Sequence, residues 1–346
     1  MQRPTDQPEI PDHLRIMRWL VLPFLLGLML LVNIYIGSVH IPLGEVFSAL
    51  TGHGTSEEIW GEIIWNFRIP KAVTCILAGS ALSLGGLQMQ TLFRNPLAGP
   101  DVLGLSSGAS LAVSLLILGS QTGLQGISGP WAMAATASLG CGAVFIIVLL
   151  FAQRLRDPAS LLIIGLMIGA GTSSVVSVLQ FTSKAEELQS FLIWTLGSVG
   201  GLDWAEINVL LWVLAAGIAL AVISVKSLNS WLLGDNYAQS LGINLKRSRL
   251  IIILSASLLT GGVTAFCGPI AFIGLAVPHL TKILIDTADH KVLIPNVMLG
   301  GAILVLFCDI MTQVPGEAAL LPFNAVSALI GAPVVIWVVM RNRVRV

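Results

Sequence analysis

Apolar residues run through this chain in long blocks separated by short polar segments, and do not alternate with polar residues at the period of a half-buried strand. About 20 apolar residues suffice to cross the hydrocarbon core of a bilayer. By that measure, residues 19–36, 72–93, 159–182, 207–225, 292–311 and 321–340 each predict one membrane-spanning helix. Residues 102–153 carry no charge and predict two spans, divided by the Gly/Ser/Pro-rich stretch 119–130. Residues 250–281 are long enough for two short spans, broken at Cys267-Gly268-Pro269. Irregular backbone at that depth persists only where protein or a water-filled path covers it, so the break is a candidate pathway element. Residues 191–201 are too few to cross and predict a partial helix near one surface.

The expected fold is therefore all-α and polytopic, a single domain over residues 1–346 with about ten transmembrane helices. Lysine and arginine positions test the topology, because they collect on the cytoplasmic side. With the N-terminus inside, fifteen of the eighteen fall on inner segments, and only Arg68, Lys71 and Lys184 fall outside. Both termini are then cytoplasmic. The first apolar run ends at residues 33–37 without a small-residue cleavage pattern, and so reads as a retained span.

Composition agrees. The chain is 55% hydrophobic and 10% charged, against roughly 25% charged in soluble domains. A net charge of zero gives no reason to expect nucleic acid as a partner. The 35 glycines suit helices that approach closely, and the Gly165/Gly169/Gly171 cluster reads as helix packing. The four cysteines lie in apolar segments without CxxC or Cys–His spacing, which suits small buried side chains. No phosphate-cradling G-x-x-x-x-G-K-[ST], no H-E-x-x-H and no G-x-S-x-G occurs, so the chain offers no catalytic constellation and no ATP site of its own.

One acidic residue, Asp309, sits well inside a span. Such a carboxylate is costly and is either functional or tied down. Two readings stay open: a secondary carrier with ion or proton coupling through Asp309, or a carboxylate capped by neighbours such as Thr312 and Gln313.

The inner connection 90–101 is tight and rigid, because Asn95-Pro96 and Gly99-Pro100 both block helix continuation. The run RNPLAGPDVLGLSSGAS, residues 94–110, resembles the signature of the FecCD/cobalamin-type ABC permeases, the membrane subunits of iron-siderophore, haem and vitamin B12 importers. Three further blocks fit that family in order. LGDNYAQSLG (233–242) is similar to its cytoplasmic L-G-x-x-x-A-x-x-L-G segment, GPIAFIGLAVPH (268–279) to its G-P-I-x-F-I-G-L-x-x-P-H motif, and ALIGAP (328–333) to its final motif.

The resemblance implies a multi-pass permease of the bacterial inner membrane, working with a second copy of itself, two ATP-binding cassette subunits and an external substrate-binding protein. ATP and Mg would belong to the partner ATPase, with no cofactor in this chain. Residues 228–245 would be the ATPase-coupling segment, with Gly234, Asp235, Ala238 and Leu241 its candidate residues. Residues 228–241 read as two short helical pieces hinged at Gly234, where the missing Cβ permits a sharp bend. Asn95, Leu97, Asp157 and Ser160 would form the inner gate, and the Ser/Thr-bearing span 161–181 would line the path. FRIPK (67–71) resembles the family's R-x-P-R motif, making Arg68 and Lys71 candidates for binding-protein docking. Lys71 replaces the second arginine, which keeps the charge and loses bidentate geometry. His40, His53 and His279 are unpaired in sequence and read as structural or solvated.

Overall fold

The computed structural model describes residues 12–37, 39–119, 130–155, 158–313 and 321–343. All regular elements among these residues are helical. Six helices are long and apolar enough to cross a membrane, and four shorter apolar helices accompany them. The chain is a multi-pass helical membrane protein.

The chain's described part opens with α1 (Asp12–Tyr35) and two short helices, α2 (Leu43–Thr51) and α3 (Glu58–Ile63). A π-helical turn, Ile64–Arg68, then leads directly into α4 (Ile69–Leu92). The second span therefore belongs to a continuous 35-residue helical run from Glu58 to Leu92, much longer than the apolar block 72–93. The charges near that boundary do not end the helix: Arg68 and Lys71 lie within the continuous helical run. Within α4, Ala78, Ala81, Leu84 and Leu87 are fully buried, and the helix packs against α14 (His290–Thr312), α12 (Leu245–Cys267) and α13 (Ile273–Ile285).

Close packing here depends on glycine. A Cβ on Gly79 or Gly301 would run into the other's carbonyl oxygen, and one on Gly86 would overlap the Gly274 carbonyl. Lipid supplies no hydrophobic drive between helices, so such backbone approach, with hydrogen bonds across it, holds the pairs together. Ser83 Oγ donates to the Val297 carbonyl at 2.9 Å and Ser80 Oγ to the Met298 carbonyl at 3.1 Å.

A 3-10 turn (Pro100–Leu103) introduces α5 (Leu105–Ile117), which packs on α6 (Pro130–Arg154) and α7 (Pro158–Thr182). The expected divider at 119–130 falls almost wholly outside the described residues. The partial helix expected at 191–201 is displaced toward the N-terminus: α8 spans Ala185–Thr195. Its first turn carries Glu186 and Glu187, acids that stabilise a helix N-terminus and that an apolar-run reading passes over. The next helix, α9 (Trp204–Ile223), starts at a reciprocal cap: Glu206 N–H donates to Asp203 Oδ1 at 2.7 Å, and Asp203 N–H to Glu206 Oε2 at 3.0 Å. Two short helices follow, α10 (Val225–Trp231) and α11 (Asp235–Ser240), then the three helices of the α4 core and α15 (Phe323–Arg343).

The break between α12 and α13 is present. Gly268, at φ 72° and ψ −179°, ends α12 in a conformation essentially reserved for glycine. Its backbone is not left bare among apolar helices, where each unpaired amide costs several kcal/mol. Asn324 of α15 clamps it: its amide donates to Pro269 O at 2.7 Å and Thr195 O at 3.0 Å, and its Oδ1 accepts from Ala271 N–H at 3.1 Å. Ser198 N–H donates to Cys267 O at 2.8 Å. The break is covered by protein.

Candidate functional site

Three features are candidates for the functional site: a polar cleft, the loop after α4 and the helix pair that flanks Gly234. The cleft lies between α5, α7 and α8 and has a volume of about 340 Å³. Ser106, Ser107 and Ser110 of α5 line it, with Ser173, Ser177 and Gln180 of α7, and Phe191 and Thr195 close it. No acid, histidine or cysteine faces it, and no group of three potential metal ligands occurs among the described residues. Its walls offer hydroxyls and one amide, groups that bind a polar solute loosely and hold no bare metal. Much of α7 is uncovered by the rest of the chain; only 17% of its most apolar stretch is buried, and Phe181 is 91% exposed.

The loop after α4 begins where that helix ends in a Schellman motif. Asn95 N–H donates to Gln90 O at 3.1 Å and Arg94 N–H to Thr91 O at 3.3 Å. Arg94 occupies the left-handed position usual for glycine, at φ 47°. Asn95 Oδ1 then accepts from Leu97 N–H at 2.9 Å, folding the loop so that Leu97 projects, 43% exposed. Asn95 and Leu97 are thus brought together on one rigid turn. Ser160 lies half-buried in the first turn of α7, and Asp157 lies outside the described residues.

At the hinge, Gly234 adopts φ 106° and ψ 158°, with open space where a Cβ would stand. This backbone conformation, and no packing limit, demands glycine there. Leu233, Tyr237 and Leu241 are exposed by 64%, 50% and 56%, giving the segment an apolar outer face. Asp235 makes an ion pair with Arg94. Ala238 is fully buried, in a cluster with Leu228, Trp231 and Ile252. Its small side chain lets α11 pack against α10 and α12. Tyr237, which the motif comparison passes over, shares the exposed face instead.

Neither Arg68 nor Lys71 is free. Arg68 is 5% exposed and donates to the carbonyls of Ile34 and Tyr35 at 2.7 and 2.8 Å and to that of Val39. Lys71 Nζ lies 2.8 Å from Asp309 Oδ2, which also accepts from Asn33 Nδ2 at 2.8 Å and Gln313 Nε2 at 3.3 Å. Both cations tie the C-terminal ends of α1 and α14 to the N-terminal end of α4, so docking through them would require breaking these ties. Of the capping partners considered for Asp309, Gln313 reaches its carboxylate, while Thr312 Oγ1 donates to its backbone carbonyl at 2.6 Å. His40 and His53 are exposed near the outer helices, and His279 is half-buried on α13.

The FecCD transport family matches residues 25–341. The chain is 34% identical over 334 residues to the vitamin B12 import system permease protein BtuC of Klebsiella pneumoniae, covering 95% of each chain. It is also 34% identical to the hemin transport system permease protein HmuU of Yersinia pestis, over 95% of this chain and 98% of that one. A solved structure described as an inward-facing conformation of a metal-chelate type ABC transporter superposes with a TM-score of 0.80 at 28% identity, over 93% of this chain and 98% of that one. Family match, near full-length relatives and fold agree, and the chain belongs to the FecCD transport family, a family of transport permeases.

Proposed function

We propose that the chain is the membrane-spanning permease subunit of a binding-protein-dependent ABC importer in the bacterial inner membrane. Its cargo is an iron-siderophore, haem or cobalamin-type chelate. It crosses the membrane ten times with both termini cytoplasmic, pairs with a second copy of itself, and is driven by two separate ATPase subunits. The observation that carries this reading is the hinged segment α10–Gly234–α11, which holds exposed Leu233, Tyr237 and Leu241 beside the Asn95/Leu97 loop. An apolar face on a hinge outside the spans suits a partner that pushes it, and the neighbouring loop suits a gate that answers.

The cleft supports the cargo class. A chelate brings its own metal ligands and asks only for hydroxyls and amides, which Ser106, Ser173, Ser177 and Gln180 supply. One cleft of about 340 Å³ is small for such cargo, and the uncovered α7 of one protomer facing that of its partner would double it. The relatives named above carry vitamin B12 and hemin, which keeps both within the proposed range. The secondary-carrier reading loses its support, because Asp309 is engaged by Lys71, Asn33 and Gln313.

Gly234→Val tests the drive segment. Forcing a β-branched residue to φ 106° costs about 1–3 kcal/mol, which the segment escapes by turning α11 away. ATP-driven uptake in proteoliposomes is expected to be lost while membrane insertion and pairing of the two copies persist. Unchanged uptake would remove the segment from the coupling path.

A further inference from the structure

The hinged segment is tied on both sides of Gly234, once to the last turn of α4 and once to the loop that follows it. On the near side, Asn229 of α10 reaches the start of α14. Its Nδ2 donates to Asp289 Oδ1 at 2.6 Å, and its Oδ1 accepts from His290 N–H at 2.9 Å and faces His290 Nδ1 at 2.8 Å. Across the ring, His290 Nε2 lies 2.9 Å from Thr91 Oγ1, on the last turn of α4 before the Arg94 loop. With its nitrogen committed to Asp289, Asn229 presents an oxygen that only accepts, so neutral His290 carries its proton on Nδ1, and the single Thr91 hydroxyl proton is shared between His290 Nε2 and the Leu87 carbonyl 2.9 Å away. His290 is 1% exposed and Thr91 4%. In such a setting a broken link leaves a polar group stranded. On the far side, Asp235 of α11 pairs with Arg94 in the loop itself.

Resting on the coupling role proposed for this segment, we infer that Arg94, Asp235, His290 and Asn229 are positioning residues that lock the gate loop to the hinged segment. A push on α11 then displaces Asn95 and Leu97 directly. The two ties divide the work. The Thr91–His290–Asn229 relay, buried at Thr91 and His290 and half-buried at Asn229, joins three helices and fixes α10 as a base. The Arg94–Asp235 pair is half-exposed, with side chains 53% and 46% accessible, and can be made and released as the hinge turns. Arg94 in the left-handed position of the Schellman motif points its side chain out of the helix end toward α11. The loop conformation and the ion pair are therefore set by the same residue.

The test is a charge-exchange cycle in the assembled complex: wild type, Arg94→Glu, Asp235→Arg, and both together. The readouts are cargo moved per ATP hydrolysed and the melting of the chain in detergent. Each single change places like charges together and is expected to lower cargo per ATP by about tenfold, while the double variant recovers to within about threefold of wild type. His290→Leu should lower the same ratio, with His290→Gln, which keeps one hydrogen bond, partly rescuing it. Singles that move cargo as wild type does, or a double no better than the singles, would overturn the inference. If the unchanged chain shows no ATP-driven uptake, the proposed function falls on its own account. The tie is then decided by melting: recovery in the double variant supports it, and additive losses reject it.

Discussion

Lys71→Met is expected to destabilise the protein by about 3–5 kcal/mol, the range for stripping one partner from a buried ion pair. Asp309, with a side chain 6% accessible, is then left charged among apolar helices with only the amides of Asn33 and Gln313. The reverse change, Asp309→Ala, should cost less, because Lys71 keeps 18% accessibility and a flexible stem that can carry its ammonium outward. Lys71→Met/Asp309→Leu should recover most of the loss, since an apolar pair of similar volume often replaces a buried ion pair without penalty. All four cysteines are buried, so their reaction with a thiol-selective dye on heating reports melting directly. A double variant as unstable as Lys71→Met would show that the cluster does more than neutralise charge.

Gly86→Val should do greater damage. The added carbons would have to occupy the position of the Gly274 carbonyl, which is backbone and cannot turn aside. Overpacking a core against movable side chains costs about 1–3 kcal/mol, and against fixed backbone more. The expected outcome is little folded protein in the membrane, because α13, with the break that precedes it, is pushed off α4. Gly142→Ala is the control: open space surrounds its Cβ position, and its yield and melting temperature should match wild type. Equal yield from Gly86→Val would contradict the close approach of α4 and α13.

How much of this was legible in the sequence follows from which interactions are local. Uncharged runs mark helices that lie in lipid, and α7, α9 and α14 stand within a few residues of where apolarity alone puts them. The Cys267-Gly268-Pro269 break and the hinge at Gly234 were legible too, since both rest on glycine's own conformational range. The helical run from Glu58 to Lys71 was not, because its charges look like a span boundary until Arg68 is seen spending its guanidinium on the carbonyls of Ile34, Tyr35 and Val39. Asp309 looked isolated for the same reason, its counter-ion Lys71 standing far away in the chain.

The candidate site divides along the same line. Motif resemblance singled out Asn95, Leu97, Gly234 and Asp235, and the structure brings these together through Arg94. It could not separate Ala238, which faces the core, from Tyr237, which faces out, because a six-residue helix carries too little pattern to orient. Asn324, His290 and Asn229 gave no signal at all. A single asparagine or histidine near the end of an apolar run becomes informative only when its partners, far off in sequence, come into contact.

The most direct test of the central claim is recovery of the chain from native membranes with its bound partners, followed by reconstitution and an assay of nucleotide hydrolysis and cargo uptake. The account predicts an ATP-hydrolysing subunit in equal amount with this chain, hydrolysis stimulated by a loaded external binding protein, and chelate uptake that stops without ATP. A chain that purifies without such a subunit and carries cargo on an ion gradient alone would contradict it.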